Sequence, residues 1–292
     1  MAELASSVTK RGAFPPVGED LEFSAFVRRM RRLTGLDLSS YKREQMLRRL
    51  GAVMAKTGVR NLVDLASMLE RDPSRIDEVR DQLTINVSEF FRDPDRFAYL
   101  ERHVLPEILR GNRRPTLWSA GCSNGAEPYS LAILMRELMP GGGYRIVATD
   151  IDRGILAQAQ AANGYREADV RNVSPARLAK HFRREGDRYV VVESIRRAVE
   201  FRHQNLLADP FEEGLDLIVC RNVVIYFTEE AKDALFQRMA LALREGGVLF
   251  VGGTESLSRD RAEHFASIAP GFYRRVGASP AASSRAPSRA PS

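Results

Sequence analysis

The sequence predicts a doubly wound α/β domain of the Rossmann-like type, preceded by a small all-α domain. Three observations carry that reading. From Pro115 onward, short apolar runs alternate with stretches of helical periodicity, the pattern of successive βα units. The run Leu215–Cys220, apolar but for Asp216, suits a central parallel strand covered on both faces. Between Thr116 and Ser130, an apolar run ends at Ala120 and breaks at Gly121 into Cys122, Ser123, Asn124 and Gly125. Helical spacing resumes near Glu127, so strand, glycine loop and helix follow one another as in the first βα turn of a nucleotide-type fold.

The elements follow in order. Residues before about Asp20, interrupted by Pro15-Pro16 and Gly18, are expected to be disordered. Helical spacing fills Leu21–Leu83. Phe23, Phe26, Val27 and Met30 form one stripe and Tyr41–Ala55 a second helix. A third carries Leu62, Leu65 and Leu69, and a fourth runs over Ile76–Leu83, with joints at Gly35, Gly58 and Asp72-Pro73. Residues 84–114 connect this domain to a larger one spanning 115–276. There the spacing predicts a strand in Leu117–Ala120, a helix over Glu127–Leu138, a strand over Tyr144–Thr149 and a helix over Asp152–Ala162. Further strands are expected at Val199–His203, Leu215–Cys220 and Val248–Gly252. Residues 164–198 interrupt the alternation with a helix at Pro175–Phe182 and a hairpin turning at Gly186-Asp187, with Tyr189–Val192 as one strand. They read as an inserted small β subdomain. Residues 277–292 form a low-complexity tail that cannot build a core.

Composition narrows the function. No apolar run reaches the length of a membrane span, and the N-terminus lacks a signal-peptide core. The 2 cysteines, Cys122 and Cys220, allow neither a disulfide framework nor a zinc spacing, so a reducing cytoplasm is expected. The net charge of +6 is uneven: Leu21–Arg60 holds ten Lys or Arg against three acids, +7 by itself, which leaves −1 elsewhere. Such a basic module fits an acidic partner surface, or simply solvated helix faces.

The glycine loop has unusual charge. A pyrophosphate turn presents bare amides and a P-loop adds a lysine, whereas this loop has no basic residue and is followed by Glu127. A carboxylate there repels phosphate and attracts an ammonium or sulfonium, which fits S-adenosylmethionine; alternatively, Glu127 is only a favourable first-turn residue. Asp150 ends the second strand, where such folds hold ribose hydroxyls. The fourth strand runs into Cys220-Arg221-Asn222-Val223-Val224-Ile225-Tyr226-Phe227 and contains no Asp/Asn-Pro-Pro-Tyr sequence. Nor are aromatics spaced as a base-stacking platform, so a nucleic-acid partner is not expected.

Thr84-Ile85-Asn86-Val87-Ser88-Glu89-Phe90-Phe91-Arg92-Asp93, the loop from Trp118 to Ser130, Thr149-Asp150-Ile151-Asp152, Asn205-Leu206-Leu207 and Cys220–Phe227 occur in this order. Together they resemble the CheR family of chemotaxis receptor methyltransferases over roughly Leu21–Val276. The resemblance implies a methyltransferase that esterifies glutamate side chains of chemoreceptors with S-adenosylmethionine and yields S-adenosylhomocysteine. It implies that Asn86, Ser88, Arg92 and Gly121 line the donor site, that Glu127 meets the methionine ammonium and Asp150 the ribose, and that Asn205 and Leu206 flank adenine. Arg221 and Asn222 would close the pocket, with Arg92 and Tyr226 nearest the reacting groups. Phe90, Phe91 and Phe227 read as packing, and Cys122 and Cys220 as buried fillers. The implied partner is the cytoplasmic helical bundle of a chemoreceptor, with membrane contact only through it, and the enzyme is expected to be a monomer.

Two features depart from the family pattern. Ala52, Val53 and Ala55 stand where enteric members carry more arginine, after Lys42, Arg43, Arg48 and Arg49. The hairpin at Gly186 is also shorter than in members that grip a receptor's C-terminal pentapeptide, which points to pentapeptide-independent docking. A catalytically inactive donor-binding scaffold is the alternative, and the presence of Arg92, Glu127, Asp150 and Tyr226 argues against it.

Overall fold

The computed structural model describes residues 17–34, 36–83, 88–253, 255, 257 and 264–277. The readings made on Gly35, on Asn86 and on both ends of the chain lie outside them. Four helices open the fold: α1 (Val17–Thr34), α2 (Arg43–Thr57), α3 (Leu62–Arg71) and α4 (Ile76–Leu83). The first begins at Val17, ahead of the expected Leu21; a proline pair is compatible with a helix that starts directly after it. Gly58 closes α2 in the left-handed conformation, and Asn61 caps α3 by accepting from the Asp64 amide at 2.8 Å. The apolar stripes meet in a core of their own around Phe26, Met30, Leu50, Leu65 and Leu69.

A helical run absent from the sequence reading follows. Helix α5 (Pro94–Tyr99) continues through a π turn at Leu100–Val104 into α6 (Leu105–Gly111). Pro106 donates no amide hydrogen and crowds the preceding turn, in keeping with the local widening to π geometry.

The larger unit is built on a seven-stranded sheet. Its first members are β1 (Thr116–Ala120), α7 (Ala126–Leu138), β2 (Arg145–Asp150) and α8 (Arg153–Ala161). Then come the short helices α9 (Glu167–Val170) and α10 (Pro175–His181), a hairpin of β3 (Phe182–Glu185) and β4 (Arg188–Val191), and α11 (Glu193–Arg196). The hairpin is a separate two-stranded sheet. The main sheet resumes with β5 (Val199–His203), β6 (Leu215–Cys220), α12 (Glu229–Ala242), β7 (Leu243–Val251), β8 (Phe265–Ala269) and β9 (Phe272–Arg275).

The strand order is β5-β2-β1-β6-β7-β9-β8, parallel except for β9, which runs antiparallel to both neighbours. The period-2 rule sorts the core: Leu117, Leu217, Val219 and Phe250 pack on one face with α7, while Trp118, Ile218, Cys220 and Leu249 pack on the other with α12. Asp216 breaks the apolar run of β6 without exposing it. It accepts from the Thr116 amide at 2.8 Å and from Asn112 and Arg244, so its burial is satisfied. Helix α12 and the closing hairpin β8–β9 were not among the elements read from the sequence. Among the described residues, no helix is long and apolar enough to cross a membrane.

Candidate functional site

The strand order reverses between β1 and β6, where their carboxyl ends open a crevice. A cleft enclosing about 980 Å³, part of it open to solvent, lies there. Its walls include Ser88, Arg92, Gly121, Glu127, Asp150, Asn205, Leu206, Arg221, Asn222 and Tyr226, drawn from segments more than a hundred residues apart. Asn86, singled out with them, lies outside the described residues. Tyr41, Arg49, Ser123, Ile151 and Val223 also line the cleft and were not singled out from the sequence.

The floor is the glycine loop. The amides of Gly121 and Cys122 donate to Thr149 O at 2.8 and 2.9 Å, which fastens the loop to the end of β2. Gly121 has φ +77°, and a Cβ there would lie 2.5 Å from Val223 Cγ2, so both backbone conformation and space demand glycine. The Ser123 amide donates to Asp150 Oδ2 at 2.8 Å and the Asp152 amide to Asp150 Oδ1 at 3.0 Å. Burial raises the Asp150 pKa while these amides oppose the shift. Two of the carboxylate's roughly four acceptor sites are thus taken. The buried Ser123 hydroxyl has no partner within the protein.

The back wall centres on Arg221, whose side chain is 2% exposed. Its Nη2 donates to Arg92 O at 2.9 Å and to Asp93 Oδ2 at 2.5 Å, and its Nη1 stands 3.4 Å from Glu127 Oε2. The guanidinium lies 4.8 Å from the Phe250 ring centroid and 5.5 Å from that of Phe97. Glu127, in the first turn of α7, also accepts from Ser119 Oγ at 2.8 Å. Burial raises its pKa, and the Arg221 charge pulls the other way. Next in sequence, Asn222 takes φ +60° and its amide donates to Glu255 Oε2 at 2.7 Å.

The roof comes from the helical domain. The Lys42 amide donates to Tyr226 O at 2.8 Å and the Thr228 amide to Ser40 O at 2.9 Å, a backbone bridge that pairs Tyr41 with Phe227. Their rings meet edge-to-face at 5.1 Å, and burial pushes the Tyr41 phenol up to about 12. Arg49 stacks 4.4 Å from the Tyr226 ring centroid and donates through Nη1 to Leu83 O. Phe90 and Phe91 are buried packing residues: Phe90 lies between Tyr165 and Phe182, and Arg177 covers Phe91. Cys122 and Cys220 are fully buried, with thiol pKa values pushed well up.

The arrangement is a preorganised pocket of carboxylates and guanidinium groups. Asp150 and Ser123 offer acceptors at its floor, Glu127 a buried negative charge, and Arg92 and Arg49 positive charges toward the mouth. With no basic side chain in the glycine loop, it is poorly suited to a pyrophosphate.

Comparison with known proteins adds the following. Residues 21–84 match the family described as "CheR methyltransferase, all-alpha domain" and residues 86–271 that described as "CheR methyltransferase, SAM binding domain". A chemotaxis protein methyltransferase of Listeria innocua is 39% identical over 257 residues, covering 87% of this chain and 98% of the relative. Chemotaxis protein methyltransferase 1 of Pseudomonas aeruginosa is 34% identical over 268 residues, covering 87% and 97%.

Because Arg221 neutralises two acids in a buried place, its removal should be costly. Arg221→Met is expected to lower unfolding free energy by about 3–5 kcal/mol in chemical denaturation. Adding Glu127→Gln should recover part of the loss; a single variant as stable as the parent would remove Arg221 from its central place.

Proposed function

The chain belongs to the CheR methyltransferase family, and from that membership we propose that it transfers a methyl group from S-adenosylmethionine to glutamate side chains of chemoreceptors. The products are a glutamyl methyl ester and S-adenosylhomocysteine. The observation that carries this reading is the cleft itself: an unpartnered buried hydroxyl at Ser123, a half-used Asp150 carboxylate and a buried Glu127, with no basic residue in the glycine loop. This set fits a cationic nucleoside without phosphates.

When bound, the donor supplies a methyl group made electrophilic by a sulfonium. Asp150 and Ser123 hold the ribose, Asn205 and Leu206 flank adenine, and Glu127 takes the methionine ammonium. The neighbouring Arg221 charge favours the ionised form of Glu127 that this needs. A substrate glutamate is ionised near neutral pH, so no side chain has to remove a proton from it. Arg92 can orient that carboxylate through paired hydrogen bonds. Tyr226, held by the Lys42 amide and covered by Arg49, forms the facing wall. Catalysis then rests on alignment and exclusion of water. The basic helical domain, +7 over Leu21–Arg60, faces an acidic stretch of the receptor's helical bundle. The enzyme works in the cytoplasm as a monomer.

The hairpin β3–β4 has strands of only four residues each. We read receptor docking as independent of a C-terminal pentapeptide: a receptor lacking that tail should still be retained in pull-down, and loss of retention would refute this.

The overall reading is tested with methyl-labelled donor and receptor-enriched membranes. Label should enter receptors and be released by alkali, as esters are and methylamines are not. Arg92→Ala should cut transfer about 100-fold while the donor dissociation constant moves less than about fivefold; equal losses would make Arg92 a plain binding residue.

The ionised form of Glu127 is the one that pairs with an ammonium, and burial sets its pKa above the ordinary 4.5. Donor affinity should therefore be full at neutral pH and fall as pH drops through that raised value. Glu127→Gln should bind about 10–100-fold more weakly at neutral pH. Any pH dependence left in it would belong to Asp150, raised for the same reason. Calorimetry showing unchanged affinity in Glu127→Gln would sink the assignment.

A further inference from the structure

The loop after β5 carries Asn205 and Leu206 into the cleft. It folds back on itself: the Asn205 amide donates to Asp209 Oδ2 at 2.8 Å, and Asn205 Oδ1 accepts from the Leu207 amide at 2.9 Å. These local bonds shape the loop without fixing where it sits on the sheet.

That position is set from behind by a residue outside the cleft. Arg238, on α12, donates through Nη1 to Leu206 O at 2.6 Å and through Nη2 to Asp209 O, and its guanidinium lies 4.0 Å from the Phe211 ring centroid. Phe211 in turn meets Trp118 at 4.7 Å, and Trp118 Nε1 donates to Thr149 Oγ1 at 2.9 Å. One chain of contacts thus runs from α12 through the loop to the residue beside Asp150. Taking a guanidinium partly out of water is unfavourable, and burial lowers the Arg238 pKa. Its planar fork bridges two carbonyls three residues apart while its face covers an aromatic ring, which a lysine cannot do.

We propose that Arg238 is a positioning residue for donor binding: it holds the Asn205–Leu206 loop in the place that receives the adenosine end. The proposal rests on the reading of the cleft as an S-adenosylmethionine site. Arg238 touches only the loop, so it acts on affinity at the adenosine end and leaves the reacting end alone.

The test uses the full chain. Binding of S-adenosylhomocysteine is measured by calorimetry for the parent, Arg238→Met, Arg238→Lys and Phe211→Leu, and methyl transfer to receptor membranes is measured across donor and receptor concentrations. Arg238→Met should weaken product binding and raise donor KM about tenfold. It should leave kcat at saturating donor within about twofold and receptor KM unchanged. Arg238→Lys and Phe211→Leu should shift donor KM in the same direction, and the Arg238→Met/Phe211→Leu pair should be less than additive. A parent that binds no S-adenosylhomocysteine would refute the reading of the cleft instead. With a binding parent, unchanged donor affinity in Arg238→Met would overturn the proposal even if the variant melts earlier, because that is what a merely structural arginine does. If Arg238→Met does not fold, unchanged affinity in Arg238→Lys and Phe211→Leu overturns it equally.

Discussion

The site depends on one buried cation. Arg221 leaves the end of β6 and reaches a carboxylate on α7, a carboxylate of the interdomain segment and the carbonyl of Arg92, with Phe250 and Phe97 at its faces. A guanidinium out of water is tolerable only where its charge and its donors are answered, so these neighbours are held at hydrogen-bonding distance. Through it the sheet, the first helix of the α/β unit and the segment carrying Arg92 share one geometry.

Backbone strain gathers around the same place. Among the described residues, Phe91, Asp93, Ser123, Asn222 and Ala162 are the non-glycine positions with positive φ, and the first four belong to the cleft or its immediate support. Each such conformation costs free energy and persists where its surroundings over-determine it. Phe91 is held by its amide on Ser130 Oγ at 3.0 Å and by Arg177 above its ring; Asn222 is held by Glu255. The segment 164–198 joins in through Tyr165, Phe182 and the Asp169 carbonyl that accepts from the Phe90 amide. The interdomain segment is therefore clamped from two sides, and Arg92 stands on a rigid base.

Much of the α/β unit was legible because periodicity survives without knowledge of neighbours. Strands β1, β2 and β6 and helices α7 and α8 lie close to where apolar runs and spacing placed them. Other elements escaped for local reasons. Strands β8 and β9 are short and antiparallel at the edge of the sheet, outside the βα rhythm. The run Pro94–Gly111 carries two prolines that read as breaks. Helix α12 begins with Thr228 capping the Ala231 amide ahead of two glutamates, a start signal that the search for strands passed over. The residues picked out by motif lie on loops at strand ends, so they share one cleft once the sheet order is known.

The sequence by itself determined the alternating architecture, the separate helical domain and the chemical character of the glycine loop, because each is written in residue type and short spacing. Only the tertiary structure decided that Tyr41 and Arg49 roof the cleft, that Glu127 is paired before any ligand arrives, and that Arg238 braces a loop it is remote from in sequence. Glu127 and Asp93 stand 94 and 128 residues from Arg221. No local pattern encodes such a contact, because it exists only after the parallel strands bring their carboxyl ends to one edge.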